Sequence, residues 1–166
     1  MSRSRIRLAT AALAVGAITL ASPLHAQCIP ANFAANWLDQ QEQAGGHTIA
    51  RHVGQTDQQL QQRLQNDPNI QAAGSYPADA VPPAYATAQA SIVAGLNTNA
   101  AAINNWANNA ANGARQAYNY VGAAVVGRVA TRNGNPFPVN NTNNFRVVFQ
   151  ALGGGNCFLL TSFPTP

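Results

Sequence analysis

The chain has 166 residues, of which 46% are hydrophobic and only 8% charged, with nine arginines, no lysine, five acids and three histidines. The acids Asp39, Glu42, Asp57, Asp67 and Asp79 are scattered and the two cysteines lie far apart, which argues against a carboxylate-rich metal centre; neither His-Glu-x-x-His nor Cys-x-x-Cys spacing occurs. The formal net charge of +4 overstates the basicity of the working protein, because three of the nine arginines fall in an N-terminal export signal; six positive charges against five negative do not make a broad nonspecific nucleic-acid surface.

Residues Met1 to Ala26 read as that signal: Arg3, Arg5 and Arg7 form its basic start, and Leu24-His25-Ala26 is the expected cleavage site. Its apolar run, Leu8 to Leu20, is about 13 residues, short of the roughly 20 that a spanning helix needs. The mature chain is therefore expected to begin at Gln27, secreted or periplasmic, with no membrane span, as one domain of residues 27–166. In an oxidising compartment Cys28 and Cys157 fit a single bridge closing a very long loop, with two unpaired thiols as the alternative.

Phe33, Trp37, Leu38 and Gln41 fall at helical spacing before a break at Gly45-Gly46. Thr56 and Gln59 make a capping box for a helix through Asn66, on which Leu60 and Leu64 share a face and Arg63 borders it. Asp67 to Pro83, rich in Pro, Gly, Ala and Ser, reads as a surface loop. Two alanine-rich helices are expected next, Tyr85 to Leu96 and Ala100 to Ala107, parted at Asn97-Thr98-Asn99, with Ile92, Leu96, Ile103 and Trp106 in the core. Strands follow over Ala117 to Tyr120, Ala123 to Ala130, Asn144 to Leu152 and Cys157 to Phe163. Helices first and strands afterwards imply an α+β fold, a helical N-terminal half followed by a curved antiparallel sheet.

The stretch Gly45 to Gly54 holds both histidines that outlast the signal, and imidazole is the side chain that titrates between about pH 5 and 8. On a straight helix His47 and His52 would point about 140° apart, which makes a poor chelating pair. His52 is the stronger chemical candidate, because Gly54 lets the backbone leave the helix and expose the histidine at an edge. For His47 a structural role at the turn is at least as good. On one unbroken helix Arg63 would lie about 16 Å from His52, so the chain must fold back at Gly54 for the two to cooperate. Together they are the pair needed to attack a phosphodiester without metal: the imidazole removes a proton from the attacking hydroxyl and the guanidinium stabilises charge on the nonbridging oxygens. Arg115, Arg128, Arg132 and Arg146 are further phosphate candidates, for which ordinary solvated surface charge is the better reading. On the last strand Thr161 and Phe163 share one face and Ser162 takes the other. A threonine there can hydrogen-bond a base or phosphate and a phenyl ring can stack on a base, although packing into the core explains the strand equally well.

The run Gly45-Gly46-His47-Thr48-Ile49-Ala50-Arg51-His52-Val53-Gly54, with Thr56-Asp57, Leu60 and Arg63-Leu64 after it, resembles the opening motif of the bacterial RNase A-like domain family, which includes C-terminal toxin domains of contact-dependent growth inhibition proteins. Asn99, Ile103 and Trp106 and the end Leu160 to Pro166 extend the likeness over about residues 37–166. The resemblance implies an RNase A-like fold and a metal-independent endoribonuclease, without cofactor, that cleaves RNA by 2′-hydroxyl attack through a 2′,3′-cyclic phosphate. By carry-over His52 is the acid/base group, Arg63 the phosphate stabiliser and Thr161 part of the substrate pocket, with His47 and Phe163 as substrate-binding candidates. At the position of Phe163 the family usually has tyrosine, so this chain lacks a phenolic hydroxyl there. RNA and a cognate immunity protein are the implied partners of what is expected to be a monomer. The competing expectations are a catalytically weak or inactive binding protein of the cell envelope, and a purely structural envelope protein.

Overall fold

The computed structural model describes residues 27–166, and the expected export signal lies outside the described residues. Among the described residues four helices come mostly first: α1 (Trp37–Gln43), α2 (Thr48–His52), α3 (Asp57–Asn66) and the long α4 (Ala86–Asn109). Among the described residues there are six strands: β1 (Ala72–Ser75), β2 (Arg115–Val121), β3 (Gly127–Thr131), β4 (Val139–Thr142), β5 (Asn144–Gly153) and β6 (Asn156–Pro164). The fold is α+β. Its strands form two antiparallel three-stranded sheets, ordered β1-β3-β4 and β2-β5-β6.

Each local signal has a physical outcome. The capping box at the start of α3 is complete, with Gln59 N–H donating to Thr56 Oγ1 at 3.2 Å and Thr56 N–H to Gln59 Oε1 at 2.8 Å, which satisfies two donors a bare helix start would leave unpaired. Leu60 and Leu64 on its inner face are buried against Ala73 and Ala130 of the first sheet. The main core lies between α4 and the second sheet, where Ile92, Leu96 and Ile103 meet Phe145, Val147, Phe149 and Leu159; Trp106 packs at its edge.

Three expectations fail. The segment Asp67 to Pro83 is not all loop: β1 runs through it and pairs with β3, from Ala72 opposite Thr131 to Ser75 opposite Arg128. The expected break at Asn97-Thr98-Asn99 is absent, and α4 runs through it as one helix. Its buried positions Ala88, Ile92, Leu96, Ile103 and Ala107 keep one face in register across the triplet, and packing on that face outweighs the weak helix preference of three polar residues. The strand expected over Ala123 to Ala130 begins later, at Gly127, and pairs with β4.

Cys28 and Cys157 are joined, with Cα atoms 4.9 Å apart across 129 residues of sequence. The bond fastens the N-terminal segment to β6, beside which Ile29 is buried and exchanges two hydrogen bonds with Asn104 of α4. Among the described residues no helix is long and apolar enough to cross a membrane.

Candidate active site

Five residues are too few to hold a helix in water, so α2 must be held from outside. At its C-terminal end Tyr76, the residue that follows β1, does this. Tyr76 N–H donates to the His52 carbonyl at 2.8 Å and Gly54 N–H returns to the Tyr76 carbonyl at 2.9 Å. Gly54 turns the chain with φ of +71°, a conformation costly for any residue with a side chain. That turn leads the chain into α3, which packs on β1 and β3.

The His52 ring is fixed by β1, since its Nδ1 lies 3.0 Å from the Gly74 carbonyl oxygen. A carbonyl can only accept, so Nδ1 carries the proton and Nε2 keeps the lone pair that a general base needs. The Phe163 ring lies against the imidazole with centroids 5.1 Å apart and planes 32° from parallel. The expectation of an edge-exposed histidine is corrected here: β1 and Phe163 cover the ring and leave His52 only 5% exposed. Burial disfavours the imidazolium and pulls its pKa from 6.5 to about 4, against the opposing pull of the Gly74 bond and with help from the positive charge of Arg63.

On β6 the expected alternation holds. Thr161, Ser162 and Phe163 stand opposite Val148, Val147 and Arg146 of β5. Ser162 turns inward, where its hydroxyl meets the Tyr76 hydroxyl at 2.7 Å and donates to the Arg146 carbonyl at 2.9 Å. Thr161 and Phe163 share the outer face with Arg146 and, beyond it on β2, Asn119, which accepts from Arg146 Nε at 2.8 Å. Asn119, Arg146 and Phe163 thus form one row across three strands, lining a groove of about 550 Å³ that also reaches Asn144 and Gln71. The Thr161 hydroxyl is buried without a hydrogen-bond partner among the described residues. Leaving such a group unpaired costs about 1 to 3 kcal/mol, which a ligand polar atom would recover.

Arg63 approaches from α3, half-buried, and with Ala50, Arg51 and Gln55 bounds a shallow depression of about 350 Å³. Burial, then the neighbouring Arg51, holds its pKa below the usual arginine value. His47 is the N-cap of α2, its N–H bonded to the Leu160 carbonyl at 3.0 Å, where burial and then Arg51 lower its pKa. The remaining arginines are engaged elsewhere. Arg128 pairs with Asp57 at 2.7 Å, Arg132 donates to the carbonyls of Ile70, Leu64 and Asp67, and Arg115 bonds Gln150. Sequence reasoning missed Gly74 and Tyr76, which fix His52, and Arg51, which flanks Arg63; the small residues of β1 gave no strand signal. Among the described residues no group of three or more His, Cys, Asp or Glu side chains converges to hold a metal.

Residues 46–164 match the family described as Bacterial CdiA-CT RNAse A domain. The chain belongs to that family. The match takes in α2, α3, α4 and all six strands, whereas α1 and Cys28 precede it. Among solved structures, the CdiA-CT/CdiI complex from Y. kristensenii is similar: 25% sequence identity and a TM-score of 0.58, over 73% of this chain and 100% of that one. No curated protein matches the chain. As a CdiA-CT RNase A domain the chain has an RNase A-like α+β fold, and its family implies a ribonuclease toxin of contact-dependent inhibition.

Proposed function

We propose that the protein is an exported, metal-independent endoribonuclease that acts as an antibacterial toxin. His52 Nε2 takes the proton from a ribose 2′-hydroxyl as that oxygen bonds to the adjacent phosphorus; the bond from phosphorus to the 5′-oxygen breaks, the departing 5′-oxygen takes a proton from solvent water, and a 2′,3′-cyclic phosphate is left. Arg63 neutralises charge growing on the nonbridging oxygens, the Thr161 hydroxyl hydrogen-bonds the substrate, and Phe163 stacks on a base. His47 lies at the margin and contributes positive surroundings to the phosphate only when protonated. The observation that carries this reading is the Nδ1 to Gly74 bond, which leaves the basic nitrogen of a neutral imidazole available in a domain of RNase A type. A cognate immunity protein is the expected partner, by analogy with the complex that the similar domain forms.

The test is incubation of purified protein with RNA in EDTA. Cleavage is expected, and His52→Ala should lower its rate by about 10² to 10⁴. Intact RNA throughout pH 5 to 8, or undiminished cleavage by the variant, would remove the proposal.

One observation favours a second reading, that of a weak or inactive binding member. The ring on His52 is phenylalanine and has no proton to give the departing 5′-oxygen. Under that reading Phe163→Tyr confers activity that the natural protein lacks.

A further inference from the structure

α2 bears the imidazole, yet its own sequence does little to start it. The N-cap residue His47 makes no side-chain cap bond. The missing acceptor comes from another helix, since Glu42 Oε1 accepts from Ala50 N–H at 2.8 Å and Oε2 from Ile49 N–H at 3.3 Å. Both donors belong to the first turn of α2, which a helix leaves unpaired.

The position of Glu42 makes no sense for its own helix. It sits in the last turn of α1, where the partial charge of the helix end is negative and an acid is unfavourable, and no basic residue offsets it there. A residue that breaks a local rule is expected where it serves something beyond its own element. α1 is in turn firmly seated. Trp37 and Leu38 are buried, Leu38 N–H donates to Gln89 Oε1 at 2.9 Å, and Asp39 accepts from the Tyr85 hydroxyl. Gln41 bridges to the substrate-facing strand, its Oε1 accepting from Leu159 N–H at 2.8 Å and its carbonyl from Gly46 N–H at 2.9 Å. α1 therefore touches both α2 and β6, the two elements that carry His52 and Phe163.

We propose that Glu42 is a positioning residue for His52, capping α2 from α1 so that the imidazole is held against β1 and beneath Phe163. This rests on the ribonuclease reading for its kinetic consequence, but not for its structural one. The effect travels through the backbone rather than through charge: Glu42 acts on the protonation of His47, while the charges that act on His52 are Arg63, His47 and Arg51. An amide oxygen can accept the same N–H bonds, so the carbonyl of glutamine suffices.

The experiment compares Glu42→Ala, Glu42→Gln and Glu42→Asp in the full exported chain by steady-state RNA cleavage, by hydrogen exchange of the Ala50 amide, and by NMR titration of His52. Glu42→Ala should lower kcat by on the order of tenfold to a hundredfold, the scale of a slightly misplaced catalytic group, with KM within about twofold. Its Ala50 amide should lose protection and its His52 midpoint should rise toward the ordinary value. Glu42→Gln should restore all three. Glu42→Asp keeps the charge but falls one methylene short and should behave like alanine, which decides the matter if Glu42→Ala does not fold. Wild-type behaviour in Glu42→Ala, or equal loss in Glu42→Gln, would overturn the proposal. If the natural protein cleaves no RNA, the ribonuclease reading fails by itself, and exchange and titration still decide whether Glu42 positions His52.

Discussion

At the scale of the residue, the proposed chemistry turns on how His52 is buried. Its pKa in the folded protein lies at about 4 against 6.5 in a free chain, so between those values the unfolded state binds a proton that the native state refuses. The stabilisation from keeping the ring neutral is complete above pH 6.5, shrinks as pH falls through the window, and is gone below about pH 4; the whole span corresponds to about 3 kcal/mol. Urea denaturation of wild type and His52→Gln at pH 7.5 and 4.5 measures it, and the natural protein should lose more stability on acidification than the variant. The same burial sets the pH profile expected of the proposed reaction. The acid limb of kcat/KM should fall near pH 4 instead of 6.5, because the free enzyme's base is unprotonated throughout the interval; a limb centred at 6.5 would mean that the ring is solvated. Phe163→Tyr places a hydroxyl-bearing ring beside the imidazole, and a rise in cleavage rate is expected where proton delivery to the 5′-oxygen limits the natural enzyme.

At the scale of the element, β1 is the part on which the site depends and the part least visible beforehand. A methyl group at Gly74 would overlap the Pro164 carbonyl oxygen, so glycine is needed there for β1 and β6 to approach, and its own carbonyl holds His52. Gly74→Ala should cost about 1 to 3 kcal/mol as strands are forced apart, read as a lower urea midpoint, and should also expose His52. The sequence of β1, Ala-Ala-Gly-Ser, has almost no strand preference; it is a strand because β3 offers a partner and its small residues allow close packing beneath α3. By contrast the α3 capping box was legible in four residues, and the facing of Thr161 and Phe163 followed from strand alternation alone. His52 drew notice because Gly54 promised an exposed edge, and that promise failed, because the strand and ring that cover it lie 22 and 111 positions further along the chain. The continuity of α4 was legible in principle, since its apolar face keeps register across the asparagines that looked like a break.

At the scale of the whole molecule, α1 and its disulfide-fastened leader lie before the matched domain and brace it across α4, α2 and β6. Closing a loop of this length removes disorder from the unfolded chain worth up to about 4 to 5 kcal/mol. The double substitution Cys28→Ser, Cys157→Ser should therefore lower stability by as much, seen in thermal and urea melts, while molecules that remain folded keep a site built from residues 48–163. A loss of all cleavage with an unchanged melting temperature would show that the bond serves the chemistry directly. If His52 activates a ribose 2′-hydroxyl, an oligodeoxynucleotide carrying a single ribonucleotide reveals it. The expected result, in EDTA, is scission only on the 3′ side of that ribose, yielding a 2′,3′-cyclic phosphate and abolished by His52→Ala; cleavage at deoxyribose positions, or ends bearing a 5′-phosphate, would contradict it.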